Sequence, residues 1–193
     1  ESDQQYGQDT LHGNNGPMYV NRPRSFDNVP PGLIQAFLDQ AVKMGLPLSP
    51  DSNSPNPLGP SPNGANGKNG IRQSTNVVYL DPARGRPNLT IEADSTVVSL
   101  KLDGKRVTEV TYERDGTLQS ASSDLVVLSA GVYHSPQILM LSGVGPAAEL
   151  EMLGIEVVHD LEGVGSNYQD HASVVLTFEG PNTFNPDWVI PGY

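Results

Sequence analysis

Between Leu46 and Gly70 the chain carries proline at 47, 50, 55, 57, 60 and 62, glycine at 59, 64, 67 and 70, and asparagine at 53, 56, 63, 66 and 69. Proline fixes φ and removes a backbone donor, while glycine and asparagine favour turns, so regular structure there is almost excluded. Loops of that length inside compact domains are usually lids, binding loops or connectors, and this one reads as a mobile surface feature. Glycine (20) and proline (17) together make about a fifth of the 193 residues, and 36% are hydrophobic, which leaves a modest core in a loop-rich globular protein. One domain, or parts of two, fits the length.

Charge and composition then remove whole classes of function. With 22 acidic and 11 basic residues, and a formal net charge of -11, the electrostatic term that drives binding to phosphate backbones has the wrong sign, which argues against nucleic acid as a partner. No apolar run approaches the roughly 18 residues of a membrane span, and no basic and apolar leader opens the chain, so no membrane span is expected. The absence of cysteine removes disulfides, thiolate metal sites and a cysteine nucleophile, and leaves the redox compartment undetermined. Glu1 is not an initiator methionine, so a processed, excised or engineered piece is expected.

The opening reads as irregular polar chain up to Asn15, followed by a short edge strand at Met18, Tyr19 and Val20. From Pro31, Leu33, Ile34, Phe37, Leu38, Ala41 and Val42 recur at helical spacing, with Pro30-Pro31 suited to the first turn and Gly45 to the residue past the end. That apolar stripe is expected to pack on a sheet. A short helix is expected from Ser74 to Leu80. The period then changes to two, with strands expected at Leu89–Ala93, Val97–Leu102, Val107–Tyr112 and Leu125–Leu128. Asp103-Gly104 and Asp115-Gly116 supply the turns of a meander, and the last strand is apolar enough to be buried on both faces. A tight Ala130-Gly131 turn leads to a helix over Gln137–Leu141, with Ser135 as N-cap and Pro136 at the first position. A helix at Ala147–Leu153 follows, ended by Gly154, then strands at Ile155–Val158 and Ser173–Phe178.

Gly143-Val144-Gly145-Pro146-Ala147-Ala148 satisfies the letter of the dinucleotide pattern G-x-G-x-x-G/A, but it follows a helix where the pattern needs a strand, so its glycines serve as caps. Gly163-Val164-Gly165 lacks the third small residue. His12, His134, His159 and His171 show no metal spacing and no nucleophile elbow accompanies them. Asp170-His171 stays a candidate, because an adjacent acid and imidazole in a glycine-rich stretch can fix a turn or touch a ligand equally well.

The order of buried strand, Ala-Gly turn, Ser-Pro helix and Ser142-Gly143-Val144-Gly145-Pro146 is the informative feature. Residues Gly131-Val132-Tyr133-His134-Ser135-Pro136-Gln137-Ile138-Leu139-Met140-Leu141-Ser142-Gly143-Val144-Gly145 closely resemble the second signature of the glucose-methanol-choline oxidoreductase family, with Val132 departing where the family prefers a smaller residue. Arg86-Pro87-Asn88-Leu89-Thr90-Ile91 with Val97, the hairpin at Leu102-Asp103-Gly104, Gly154-Ile155, and Gly163 through His171 match in the same order, except that Tyr168 stands where the family usually has leucine.

The resemblance implies an α+β or α/β architecture: part of an FAD-binding Rossmann-like domain plus part of an antiparallel-sheet substrate domain. It implies substrate-domain chain over 1–84, FAD-domain chain over 85–165 and a return to the substrate domain over 166–193. It implies an FAD-dependent enzyme that oxidises the CH–OH group of a small alcohol by hydride transfer to flavin N5. The N-terminal dinucleotide motif and the C-terminal catalytic histidine would lie outside this chain, on the remaining parts of the same protein, so the piece is expected to be inert alone, and none of its own residues is expected to be catalytic. By the same resemblance Val97, Ala130, Gly131, Asp170 and His171 are the candidate cofactor contacts. A hydroxynitrile lyase on the same scaffold, or a non-enzymatic binding module, are the alternatives.

Overall fold

The computed structural model describes residues 1–22 and 32–175. The described chain forms two units, one within Glu1–Leu89 and one within Thr90–Thr177, and together they mix helix and sheet.

In the first unit the opening segment is more ordered than its polarity implies. β1 (Ser2–Asp3) pairs in parallel with β2 (Tyr19–Val20), placing Ser2 opposite Tyr19 and Asp3 opposite Val20. Both β1 residues are buried. The expected helix forms as α1 (Leu33–Lys43), and Gly45 follows it at φ +84° as anticipated, while Pro30-Pro31 lie outside the described residues. Its stripe is covered only in part: Leu38 and Ala41 are buried, whereas Phe37 is 63% exposed.

The long loop lies mostly at the surface, but parts of it are held by buried groups and backbone hydrogen bonds. It carries no helix, and its only ladder is β3 (Gly67–Lys68) paired antiparallel with β4 (Ile71–Arg72). Yet Ser49 and Asp51 are buried, the Ser49 N–H donates to the Pro60 carbonyl at 2.9 Å, and Ala65 bridges Asn21. A chain without ladders must still satisfy buried polar groups, and this one does so through side chains and turns. The short helix expected at Ser74–Leu80 appears as a π-helical turn at Asn76–Leu80 that runs into α2 (Asp81–Ala83).

The second unit is built on a three-stranded antiparallel meander, β5 (Thr96–Asp103), β6 (Arg106–Arg114) and β7 (Thr117–Ser122), in that order. Asp115 and Gly116 both have positive φ, 52° and 71°, the conformation a two-residue hairpin loop requires. α3 (Gly131–Leu141) packs on β5, where Leu100 and Ile138 are both buried. α4 (Ala147–Met152) joins β8 (Val144–Gly145) to its parallel partner β9 (His159–Asp160), with Leu150 fully buried beneath the crossover.

Three expected strands do not form, and a fourth does not over its described part. Leu89–Ala93 and Leu125–Leu128 have no ladder, and Leu125 and Val127 are 76% and 77% exposed. An apolar run becomes a strand only where a neighbour takes its N–H and C=O groups, and no described residue does so. Pairing after α4 falls on His159–Asp160 rather than Ile155–Val158. Ser173–Val175 is likewise unpaired and exposed, and the rest of that candidate lies outside the described residues. α3 also begins earlier than expected, with Ala130 at its cap and Ser135 and Pro136 inside it.

Candidate functional site

All five residues singled out as cofactor contacts belong to the second unit. Val97 is half-buried on β5, opposite Tyr112. Ala130 and Gly131 form the uncapped, exposed start of α3, with the Ala130 N–H donating to Ser135 Oγ at 3.0 Å. Ser135 therefore holds the turn from inside the helix. Gly131 has φ +85° at the N-terminal end of an 11-residue helix, and a Cβ built there would meet nothing within 4 Å.

Asp170 and His171 are exposed and joined locally, the His171 N–H donating to Asp170 Oδ1 at 2.7 Å. Tyr168 links them to α3. Its hydroxyl donates to Asp170 Oδ2 at 3.0 Å and accepts from the Tyr133 hydroxyl at 3.1 Å, with the two rings stacked at 5.3 Å between centroids. The bonds to Tyr133 and to the Asp170 carboxylate hold the Tyr168 phenol above the ordinary tyrosine value. The structure thus ties Asp170 to Tyr133 in the first turn of α3 through the Tyr168 hydroxyl, and His171 to Asp170 through its backbone N–H, while Val97 is linked to that helix only by the sheet on which it packs.

A second polar cluster, in the first unit, escaped sequence reasoning. Arg22, with its side chain 1% exposed, donates from one terminal nitrogen to both carboxylate oxygens of Asp3, at 3.0 and 2.8 Å, and from the other to Asp51 Oδ1 at 2.7 Å. The guanidinium lies 4.6 Å from the centre of the Tyr6 ring. His12 Nε2 is 2.9 Å from Asp51 Oδ2, and its Nδ1 faces Glu1 and Asp3 at 3.5 and 3.6 Å. Burial raises the Asp3 carboxyl, but bonds from the Tyr6 N–H, Arg22 and the Gln5 N–H outweigh it and hold Asp3 below 3.8. Burial likewise raises Asp51, and the Asn53 N–H, Arg22 and His12 bring it below 3.8. Burial alone lowers His12; the hydrogen bond to Asp51 and the charges of Asp51, Asp9 and Asp3 raise it above 6.5.

These directions set a pH window. The two carboxylates contribute stability above 3.8 that is lost as pH falls through their lower folded values, and His12 contributes stability fully present below 6.5 that is lost as pH rises through its raised value. The urea midpoint of the protein is expected to be higher at about pH 5.5 than at about pH 8, and His12→Gln is expected to shrink that difference. Equal shrinkage-free curves for the two proteins would show that His12 does not titrate on folding.

A cavity of about 510 Å³ lies in the first unit, lined by Met18, Asn63, Asn66, Arg72, Gln73 and Thr75, and contains none of the five candidate residues. Among the described residues no helix is long and apolar enough to cross a membrane.

Comparison with known proteins gives a consistent picture. The sequence model of the family described as GMC oxidoreductase matches residues 4–173. The chain is 41% identical over 175 residues to a protein named oxygen-dependent choline dehydrogenase 1 from Chromohalobacter salexigens, covering 90% of this chain and 31% of that one. It is 40% identical over 176 residues to an oxygen-dependent choline dehydrogenase of Pseudomonas putida, covering 89% and 31%. Among solved structures, pyridoxine 4-oxidase from Mesorbium loti aligns with TM-score 0.74 and 34% identity over 83% of this chain and 31% of that chain. An FAD-dependent oxidoreductase from Chaetomium thermophilum aligns with TM-score 0.64 and 25% identity, over 83% and 29%. The chain therefore spans about a third of the length of the relatives it matches.

Proposed function

This chain belongs to the GMC oxidoreductase family, and we propose that it contributes part of the cofactor site of an FAD-dependent enzyme that oxidises the CH–OH group of a small alcohol. The observation that carries the reading is the family match over residues 4–173 combined with the open, uncapped Gly131 turn. FAD, when bound, supplies the hydride acceptor at flavin N5.

The residues present fit that group. The first N–H groups of a helix lack intrahelical partners, and a glycine with empty space in place of Cβ lets the backbone approach a ligand closely. Ala130 and Gly131 would hold the adenosine part, the backbone of Val97 its adenine edge, and Asp170 and His171 would close the site from the segment that Tyr168 links to Tyr133. The division into substrate-domain chain over 1–84, Rossmann-like FAD-domain chain over 85–165 and returning chain from 166 belongs to the same proposal. So does the reading that strands from the remaining parts of the polypeptide flank Leu125–Leu128, whose exposed apolar side chains and unpaired backbone support it. Those parts would supply the pyrophosphate cradle and the base that takes the alcohol proton, which leaves this stretch inert by itself.

Choline names the two relatives above, so a choline-class alcohol is the first substrate to test. The full-length protein is expected to carry a flavin absorption band that bleaches anaerobically on addition of choline or another small alcohol. A band that no alcohol bleaches would favour a lyase on this scaffold, and a colourless protein that binds no added FAD would overturn the reading.

A further inference from the structure

We propose that Tyr168 is a positioning residue for the cofactor site, clamping the segment that carries Asp170 and His171 onto the first turn of α3. The inference rests on the FAD reading above and concerns how the site is held in register.

The geometry starts at the other end of α3. A Cβ on Gly165, at φ +78°, would come within 3.2 Å of Met140 Sδ, so the chain touches the helix there. Three residues later Tyr168 stacks on Tyr133. From Met140 back to Tyr133 the helix rises about 10 Å at 1.5 Å per residue. The segment from Gly165 to Tyr168 therefore meets the side chains of α3 twice, first at Met140 and then at Tyr133, in the reverse of the helix's chain order, and forms a strap fixed at both ends.

Beyond Tyr168 the strap has no other anchor among the described residues. Among the described residues, Asp170 makes hydrogen bonds only to Tyr168 and to the His171 N–H, and His171 makes no side-chain bond. The Tyr133 hydroxyl donates to Tyr168, which donates to the Asp170 carboxylate, a chain polarised toward the negative charge so that each bond strengthens the next. Tyr133 and Tyr168 are 65% and 51% exposed, so solvent competes for both hydroxyls and the clamp adds little to overall stability. Its effect is local: it fixes where Asp170 and His171 stand relative to Gly131. A leucine at 168 could make neither bond.

The test uses the full-length protein and FAD as the probe. Tyr168→Phe keeps the stacked ring and removes both bonds. It is expected to raise the Kd for FAD about tenfold and to change the visible circular dichroism of the bound flavin, with the Tm of the flavin-free protein unchanged. Tyr168→Leu should do the same or more. If wild type binds FAD and Tyr168→Phe binds it equally well, the positioning role is overturned while the FAD reading stands. If the flavin-free Tm falls together with affinity, the tyrosine is merely structural and the proposal fails. If wild type itself binds no FAD, both fall.

Discussion

Arg22→Met in the full-length protein is expected to cost about 3–5 kcal/mol of stability, read as a lowered urea midpoint at unchanged slope. The size follows from what the substitution leaves behind. Asp3 and Asp51 have side chains 1% and 9% exposed, and Arg22 is the cation between them. Without it, two carboxylates remain in a poorly hydrated space with His12 as the one nearby cation among the described residues, and removing one partner of a buried charge network exposes the full desolvation cost of the others. Arg22→Lys keeps the charge but loses the fork that engages both acids at once, so it should recover only part of the loss. Asp3→Asn in the Arg22→Met background should recover more, because it removes a stranded charge. The penalty should also shrink as pH falls through the lowered folded values of the two carboxylates, where they protonate in the native protein. A loss of under about 1 kcal/mol at neutral pH would mean that the cluster is hydrated in solution and does not pin Asp51 to the opening segment.

That cluster also marks where sequence reading stops. Its members stand at positions 3, 12, 22 and 51 and share no helical or strand spacing, so nothing local announces them; only the folding of the Pro/Asn/Gly loop onto β1 and β2 brings them together. By contrast the meander was legible, because the Asp-Gly pairs at 103–104 and 115–116 dictate tight turns and the flanking residues alternate. Its third strand was not, since Thr117–Ser122 is polar and exposed on both faces and forms through pairing with β6 alone. Leu125–Leu128 misled in the opposite sense: hydrophobicity gives a strand's composition, but the partners must come from elsewhere. Ser135-Pro136 looks like a helix start by residue type, yet the helix begins at Gly131, after the Ala130 cap, and Ser135 becomes a support for that start. Gly131, Asp170 and His171 could be named from motif order; their connection through Tyr133 and Tyr168 needed the fold.

The two glycines that bracket α3 should differ sharply in what an added methyl group costs. Gly131 and Gly143 have nearly the same backbone, φ +85° and +80°, but opposite surroundings. At Gly131 the Cβ position is empty; at Gly143 it would overlap the Glu156 carbonyl oxygen and lie 2.8 Å from Val158 Cγ2. The Gly143 carbonyl accepts the N–H groups of Val158 and His159 at 2.8 and 3.0 Å, and the neighbouring Ser142 hydroxyl takes the Leu100 N–H at 2.7 Å while donating to the Ile138 carbonyl at 2.6 Å. Sheet, helix and the β9 strand therefore meet at Ser142-Gly143, and a backbone oxygen, unlike a side chain, cannot swing aside. Gly143→Ala is expected to cost about 2–5 kcal/mol, combining left-handed strain of about 1–2 kcal/mol with overpacking of about 1–3 kcal/mol. Gly154→Ala supplies the control, since Gly154 has φ +72° and open space around it, and should show the strain alone. If thermal or urea unfolding finds the two substitutions equally costly, the close approach at Gly143 is wrong. If Gly143 is the costlier, then glycine at that end of α3 is needed for chain segments to touch, whereas Gly131, like Gly154, is there for its backbone angle and not for a neighbouring chain segment.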